Sequence, residues 1–367
     1  MSAPPRTTIR AAQESALRRG ITRRVSPASP GEHRAAIGHD HAGPDVLRAA
    51  WQRTHATARA RTHRRARRRP PGALAAPLPA HPLFRAHAAR RLAVLAYSRV
   101  TDQRAFGAQL DRLCQVAVPI SLPALEQAVA VGRPLPPRSV LITFDDADRN
   151  VLEHALPALT ARGLPAVAFV VTELIGTDRP SWRDEAAFLL AHRGQARALV
   201  PDARYDRLEQ LAALPDPDRR RSMHELRVSA TAQAPRRQRL TPQDLRRLLA
   251  GRVAIGSQSL GAPELGRCDD ATVATELRSA HRELTAWLDA APTAFAYPGG
   301  GHEPRAARVL AELGYRAAFL TDHRLNRRLP REALRVSRLS VDTSCPRDHF
   351  EAVLSGLQPA VRRWRGL

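Results

Sequence analysis

A chain of 367 residues is long enough for one large domain of about 200–250 residues plus appendages, so burial of a full apolar core is not in question. The formal net charge of +23 comes from 58 basic residues, all of them arginine, against 35 acidic ones; a coding bias towards arginine accounts for that excess as well as phosphate binding does, so charge alone assigns no nucleic-acid partner. Cys114, Cys268 and Cys345 are far apart and in no Cys-x-x-Cys spacing, which excludes a disulfide framework or a cysteine zinc cluster and leaves them as ordinary buried or half-buried thiols.

Residues 1–88 are rich in Arg, Ala, Pro and His, with an almost unbroken charged run from Arg61 to Arg69 closed by Pro70-Pro71. Such a segment buries too little apolar surface to offset the entropy of ordering, and reads as a disordered basic leader. It suits anionic surfaces, or is a solvated extension from a start site placed too far upstream. It has no apolar segment behind its arginines, and no stretch of the chain approaches the roughly 18 apolar residues of a membrane-spanning helix, so the product reads as cytoplasmic as written.

The domain is expected over 89–360. Leu92 to Tyr97 is an apolar run suited to a buried strand, and Phe106 to Leu113 has helical spacing. Ser139 to Phe144 and Ala166 to Val171 read as strands flanking a helix from Val151 to Arg162, with Gly163 at its C-terminal end, which is a strand–helix–strand unit. Residues 172–240 are polar and irregular and read as an insertion that caps the groove. Thr241-Pro242-Gln243-Asp244 opens a helix with a good cap and a proline in its first turn. Strands at Val253 to Ser257, Thr293 to Tyr297, Ala317 to Thr321 and Arg335 to Val341 then alternate with helices at Ala271 to Asp289 and Arg305 to Leu313. Repeated alternation predicts a parallel sheet closing into a distorted (β/α) barrel, an α/β fold.

The strand Ser139 to Phe144 ends in Asp145-Asp146, the place where a parallel barrel presents its reactive groups. Adjacent side chains of a strand point to opposite sides, so both acids serve one site only if the chain is already turning there. One could then hold a metal while the other acts as a base; the same pair would also serve as helix N-cap residues.

In the order Tyr97-Ser98-Arg99-Val100, Thr143-Phe144-Asp145-Asp146, Leu164-Pro165-Ala166, Gly256-Ser257 before Leu260 and Pro263, and Phe295-Ala296-Tyr297-Pro298-Gly299-Gly300, the chain closely resembles the polysaccharide deacetylase family, the NodB-homology group of carbohydrate esterase family four. The resemblance spans Leu92 to Leu357. It implies metal-dependent hydrolysis of N-acetyl groups on amino-sugar glycans, a divalent ion, usually zinc, polarising the carbonyl and activating water. On this resemblance Asp145 is the general base and Asp146 a metal ligand. Tyr297, Pro298 and Gly299 line the substrate groove, with a backbone amide offered to the oxyanion.

Several positions depart from that pattern. The two metal-binding histidines fall on Gln258 and Ala262; a glutamine is a weak zinc donor and an alanine is none, so zinc is doubtful here. Ser98 stands where the first strand carries a histidine, Ala147 where a glycine follows the aspartates, and Asp342-Thr343-Ser344 where a late histidine would serve as acid. His302 and His323 lie near strand C-termini and are the remaining imidazoles that could substitute. The expected function is a family deacetylase whose activity is weak or lost. The alternatives are an inactive glycan- or partner-binding pseudoenzyme, and a basic anionic-surface or nucleic-acid binder acting through the N-terminal arginines.

Overall fold

The computed structural model describes residues 88–192 and 201–356, the side chains of 201–205 excepted. The leader expected over 1–88 falls, but for Ala88, outside the described residues, as do residues 193–200 of the insertion. The described part lies in one compact unit.

The sheet is built from β1 (Arg91–Tyr97), β2 (Val118–Pro119), β3 (Ser139–Phe144), β4 (Ala166–Val170), β5 (Val253–Ser257), β6 (Ala294–Ala296), β7 (Ala317–Phe319), β8 (Asn326–Arg327) and β9 (Leu339–Val341). The parallel order β7-β6-β5-β4-β3-β1 curls, and β9 adds to β1 in parallel. A bridge between Phe319 and Val336 ties β7 to the segment entering β9, so the two edges of the curl are linked. The result is an α/β half-barrel curled towards closure, the distorted barrel expected.

Residue alternation along the strands explains the curl. Leu92, Val94, Leu141, Val167, Phe169, Ala296 and Phe319 pack together across the lumen, where the Phe169 and Phe319 ring centroids are 5.4 Å apart. Their neighbours Leu95, Tyr97, Ile142, Phe144, Ala168 and Val170 face outward into the helix layer. Each fully buried phenylalanine contributes about 2–3 kcal/mol of burial, and both faces of a parallel sheet must be covered. Gly256 makes the curl possible at β5, because a Cβ there would sit 2.5 Å from the Phe169 ring.

The outer helices carry sequence-local caps. Helix α1 (Gln103–Val116) begins at Asp102 and α2 (Leu122–Val131) at Ser121, each side chain accepting from the N–H three residues on. Between β3 and β4 the continuous helix expected from Val151 is not uniform: Val151–Ala155 is a π-turn, followed by α3 (Leu156–Thr160). Pro157 has no N–H to give, and the Leu156 N–H reaches back to Val151, which widens the turn. The insertion folds into α4 (Trp182–Ala191), α5 (Pro201–Ala213) and α6 (Asp216–Ser229), of which α4 and α6 pack around Leu189, Met223 and Leu226.

The chain re-enters the barrel through α7 (Pro242–Ala250), which has the expected cap: Thr241 and Asp244 form a reciprocal capping box with Pro242 at the first position. Helices α8 (Asp270–Leu288), α9 (Pro304–Glu312) and α10 (Arg347–Leu354) complete the outer layer. Where a strand from Arg335 to Val341 is expected, a short 3-10 turn covers Ala333–Arg335 and the ladder holds over Leu339–Val341 alone. Cys268 is buried and Cys345 partly so, as expected, while Cys114 is exposed. No helix among the described residues is long and apolar enough to cross a membrane.

Candidate functional site

The strand register brings the C-terminal ends of β3, β4, β5 and β6 to one rim: Phe144 pairs with Tyr97 and Ala168, Ser257 with Val170 and Phe295. Asp145 continues β3 for one more residue, its N–H bonding the Tyr97 carbonyl at 2.8 Å. Asp146 then turns the chain, with φ 47° in the left-handed region that aspartate tolerates better than most residues. The left-handed residue of this turn is therefore Asp146 and not Ala147, which stands at the glycine position. Ala147 itself is buried and donates to the Phe169 carbonyl at 2.9 Å. This turn points both aspartates at the rim.

Asp145 faces the lumen and meets Arg338. The Arg338 guanidinium donates to Asp145 Oδ1 at 2.6 Å, to Thr143 Oγ1 at 3.3 Å, to Thr321 Oγ1 at 3.0 Å and to the Leu320 carbonyl at 2.8 Å. Its charge centre lies 5.4 Å from the Phe169 ring, and the residue is 1% exposed. The five donors of one guanidinium thus join β3, β7 and the entry to β9 at the top of the lumen. Arg338 is not among the site residues expected from the sequence; its signal there is an arginine inside an otherwise strand-like run.

Asp146 is open to solvent on one side. Crowding by the surrounding protein, reinforced by the charges of Asp145 and then Asp184, raises its carboxyl above the usual range, against the opposing pull of Arg183 and Arg239. Gln258 directly follows β5, is 6% exposed, and accepts the Asp146 N–H on Oε1 at 2.8 Å. The two residues expected at the metal are brought together, though through the backbone of one and the amide of the other. Ala262 has φ 52°, and its carbonyl accepts the indole N–H of Trp182 at 3.2 Å, which docks α4 on the rim.

Tyr297 is 2% exposed and donates its hydroxyl to the Leu334 carbonyl at 3.1 Å, and burial raises its phenol above the usual range. Its ring packs with Phe295 in the outer layer, beneath α8 and α9. Pro298 and Gly299 turn directly after it, Gly299 at φ 73° and Gly300 at φ 77°, and a Cβ on Gly300 would come within 2.6 Å of Thr321. The Gly300 carbonyl accepts the Thr321 N–H at 2.9 Å, so this turn abuts the Arg338 network. His302 packs edge-on against Tyr297, and the backbone N–H of His323 bonds the Arg338 carbonyl at 2.9 Å.

Among the described residues no group of three His, Cys, Asp or Glu side chains is gathered to hold a metal ion. The donor chemistry agrees: Asp146 offers a carboxylate, the Gln258 oxygen is already engaged, and Ala262 offers nothing. These residues do not fit a zinc centre of three strong protein ligands.

Comparison with known proteins gives the following. The family model described as polysaccharide deacetylase matches residues 132–318, about half of the chain. Among solved structures, the chain is similar to IcaB from Ammonifex degensii, at 21% identity and a TM-score of 0.52, over 73% of this chain and 97% of that one. It is also similar to the Streptococcus pyogenes deacetylase PplD in complex with acetate, at 14% identity and a TM-score of 0.50, over 72% and 98% of the two chains. At such identities these two likenesses speak to the fold. No curated protein matches the sequence.

Proposed function

Because the chain belongs to the polysaccharide deacetylase family, we propose that its groove receives an N-acetylated amino-sugar glycan and that metal-dependent hydrolysis there is weak or lost. The family acts on N-acetylated polysaccharides and is generally metal-dependent. One observation carries the reading: the Gln258 oxygen that replaces a ligand imidazole is spent on the Asp146 N–H. Zinc would meet the Asp146 carboxylate and, beside that bond, at most the remaining lone pair of one neutral amide oxygen. Such a pair holds an ion far more weakly than two imidazoles and a carboxylate.

The proposed roles follow from the chemistry of each group. Asp145 is the carboxylate placed to take a proton from water, yet one of its oxygens already accepts from Arg338. The turn at Tyr297, Pro298 and Gly299 borders the groove by its backbone, the tyrosine ring being committed to the outer layer. Binding without turnover uses this groove and makes no demand on the missing ligands.

The test is zinc content of the purified protein together with acetate release from N-acetylglucosamine oligomers. We expect substoichiometric zinc, measurable oligomer binding, and little or no acetate. Stoichiometric zinc with acetate release abolished by Asp145→Asn would overturn the loss of activity, and absence of any oligomer binding would overturn the groove.

A further inference from the structure

Beside Asp146, the rim carries more guanidinium than the protein neutralises. Arg99 follows β1, Asp148 follows β3, Asp184 lies in the first turn of α4, and Arg237 and Arg239 lie on the segment that returns from the insertion to α7. Arg99 bonds Asp148 at 2.9 Å and lies 3.8 Å from Asp184. Arg239 is 5% exposed, donates Nε to the Arg179 carbonyl at 2.8 Å, and reaches both aspartates only at 4.0 Å. Its buried Nη2 has no hydrogen-bond partner. Arg237 is half-buried and near enough to Arg99, Asp184, Asp148 and Arg239 to feel their charges; burial, then the Arg99 charge, makes it easier to deprotonate than an ordinary arginine.

Three guanidinium groups therefore share two carboxylates, with one hydrogen bond among them, from Arg99 to Asp148. No hydrogen bond or ion pair of the Arg237 side chain exists among the described residues. An orphaned buried N–H and a crowded, unpaired cation each cost free energy that a bound oxyanion would return. The arrangement also adjoins Asp146, whose carboxyl feels both Arg239 and Asp184.

We infer that the groove takes an acidic glycan, one that carries an oxyanion, carboxylate or phosphate, seated on Arg237 and Arg99 with Arg239 behind them. Guanidinium forks suit the paired oxygens of either group. This deepens the groove reading and rests on it: the N-acetylated sugar lies at the aspartates and its charged neighbour at the arginines. The inserted helices are then part of recognition, since they hold Asp184 and deliver Arg237 and Arg239 to the rim.

The test is a binding comparison by calorimetry on the full chain with three probes: a neutral N-acetylglucosamine oligomer, a hyaluronan oligomer of equal length carrying carboxylates, and an N-acetylglucosamine oligomer bearing phosphate. At least one acidic probe should bind about tenfold or more tightly than the neutral one, with an advantage that shrinks as salt rises. The stronger of the two identifies the anion. Arg237→Gln should erase most of that advantage, bringing acidic and neutral affinities together, while Arg237→Lys should keep part of it and its salt dependence. Since the Arg237 side chain is unpaired, neither variant threatens the fold. Equal affinity for neutral and acidic probes, or full acidic preference in Arg237→Gln, would overturn the inference and leave the groove reading standing. Binding of none of the three would overturn both.

Discussion

Arg338 and Asp145 form an ion pair of 2.6 Å at the top of the barrel lumen, with the arginine 1% exposed and 193 residues away along the chain. The aspartate proposed as the general base is thereby tied to the residue that enters the last strand. Removing one member of such a pair leaves the other charge without its partner in a poorly solvated place. Arg338→Met should cost about 3 kcal/mol in urea unfolding, and Arg338→Lys nearly as much, because one ammonium cannot reach Asp145, Thr143, Thr321 and Leu320 together. The double variant Arg338→Met with Asp145→Leu should recover a good part of the loss. A double mutant no more stable than Arg338→Met alone would show that the pair itself is not what matters.

Histidines at positions 258 and 262 test the proposal that these correspond to the family's metal ligands. Gln258→His with Ala262→His puts two imidazoles beside Asp146, and zinc affinity should rise by about two orders of magnitude or more. Position 262 is at φ 52°, so a histidine there adds backbone strain of about 1 kcal/mol. Titration calorimetry with zinc reads the outcome; unchanged affinity would show that positions 258 and 262 do not flank the Asp146 carboxylate as a pair.

The parts of this fold that were legible in the sequence are those decided locally. Strands β3 and β5 fall on the residues expected because each is a short apolar run between turn signals, and the Thr241 cap is written in four consecutive residues. The insertion gave little because its helices are dense in arginine and acid, with apolar contacts confined to positions such as Leu189, Met223 and Leu226. Of the site, the aspartates and Gln258 are visible as motif positions. Their use is not: the Gln258 bond runs to a backbone N–H, and Arg338 reaches Asp145 only once the barrel has curled. The arginine group at the rim likewise exists only when the returning segment meets the end of β1.

Glu276 of α8 supplies a pH test. It is 2% exposed and accepts from Ser259 Oγ at 3.0 Å and from the Gly261 N–H at 2.8 Å, so it pins the loop that carries Gln258 and Ala262. Burial raises its carboxyl above the usual range and outweighs the two hydrogen bonds, which pull the other way. The folded state then holds a proton that the unfolded chain has released, so this residue's contribution falls as pH rises from the ordinary carboxylate range through the raised value. Glu276→Gln should flatten that slope, gaining stability relative to the parent as pH rises from 4 to 8. Parallel stability-against-pH curves for the two proteins would refute the assignment.

Trp182 is the joint between insertion and barrel. Its indole N–H bonds the Ala262 carbonyl at 3.2 Å, while Arg183 and Arg219 lie over its ring at 4.8 Å and 4.5 Å. Arg183 continues to Glu264 at 3.1 Å, and Arg219 is paired with Asp216, so one ring gathers α4, α6 and the loop after β5. Trp182→Ala removes the bond and both cation–π contacts and should cost about 2 kcal/mol, whereas Trp182→Phe keeps a ring for the arginines and should cost about 1 kcal/mol. Because the insertion leads into the segment that delivers Arg237 and Arg239 to the rim, the alanine variant should weaken acidic-glycan binding more than neutral-oligomer binding. Urea unfolding and the same calorimetric comparison read the two effects separately; a stability loss with equal weakening for both glycans would confine Trp182 to holding the insertion in place.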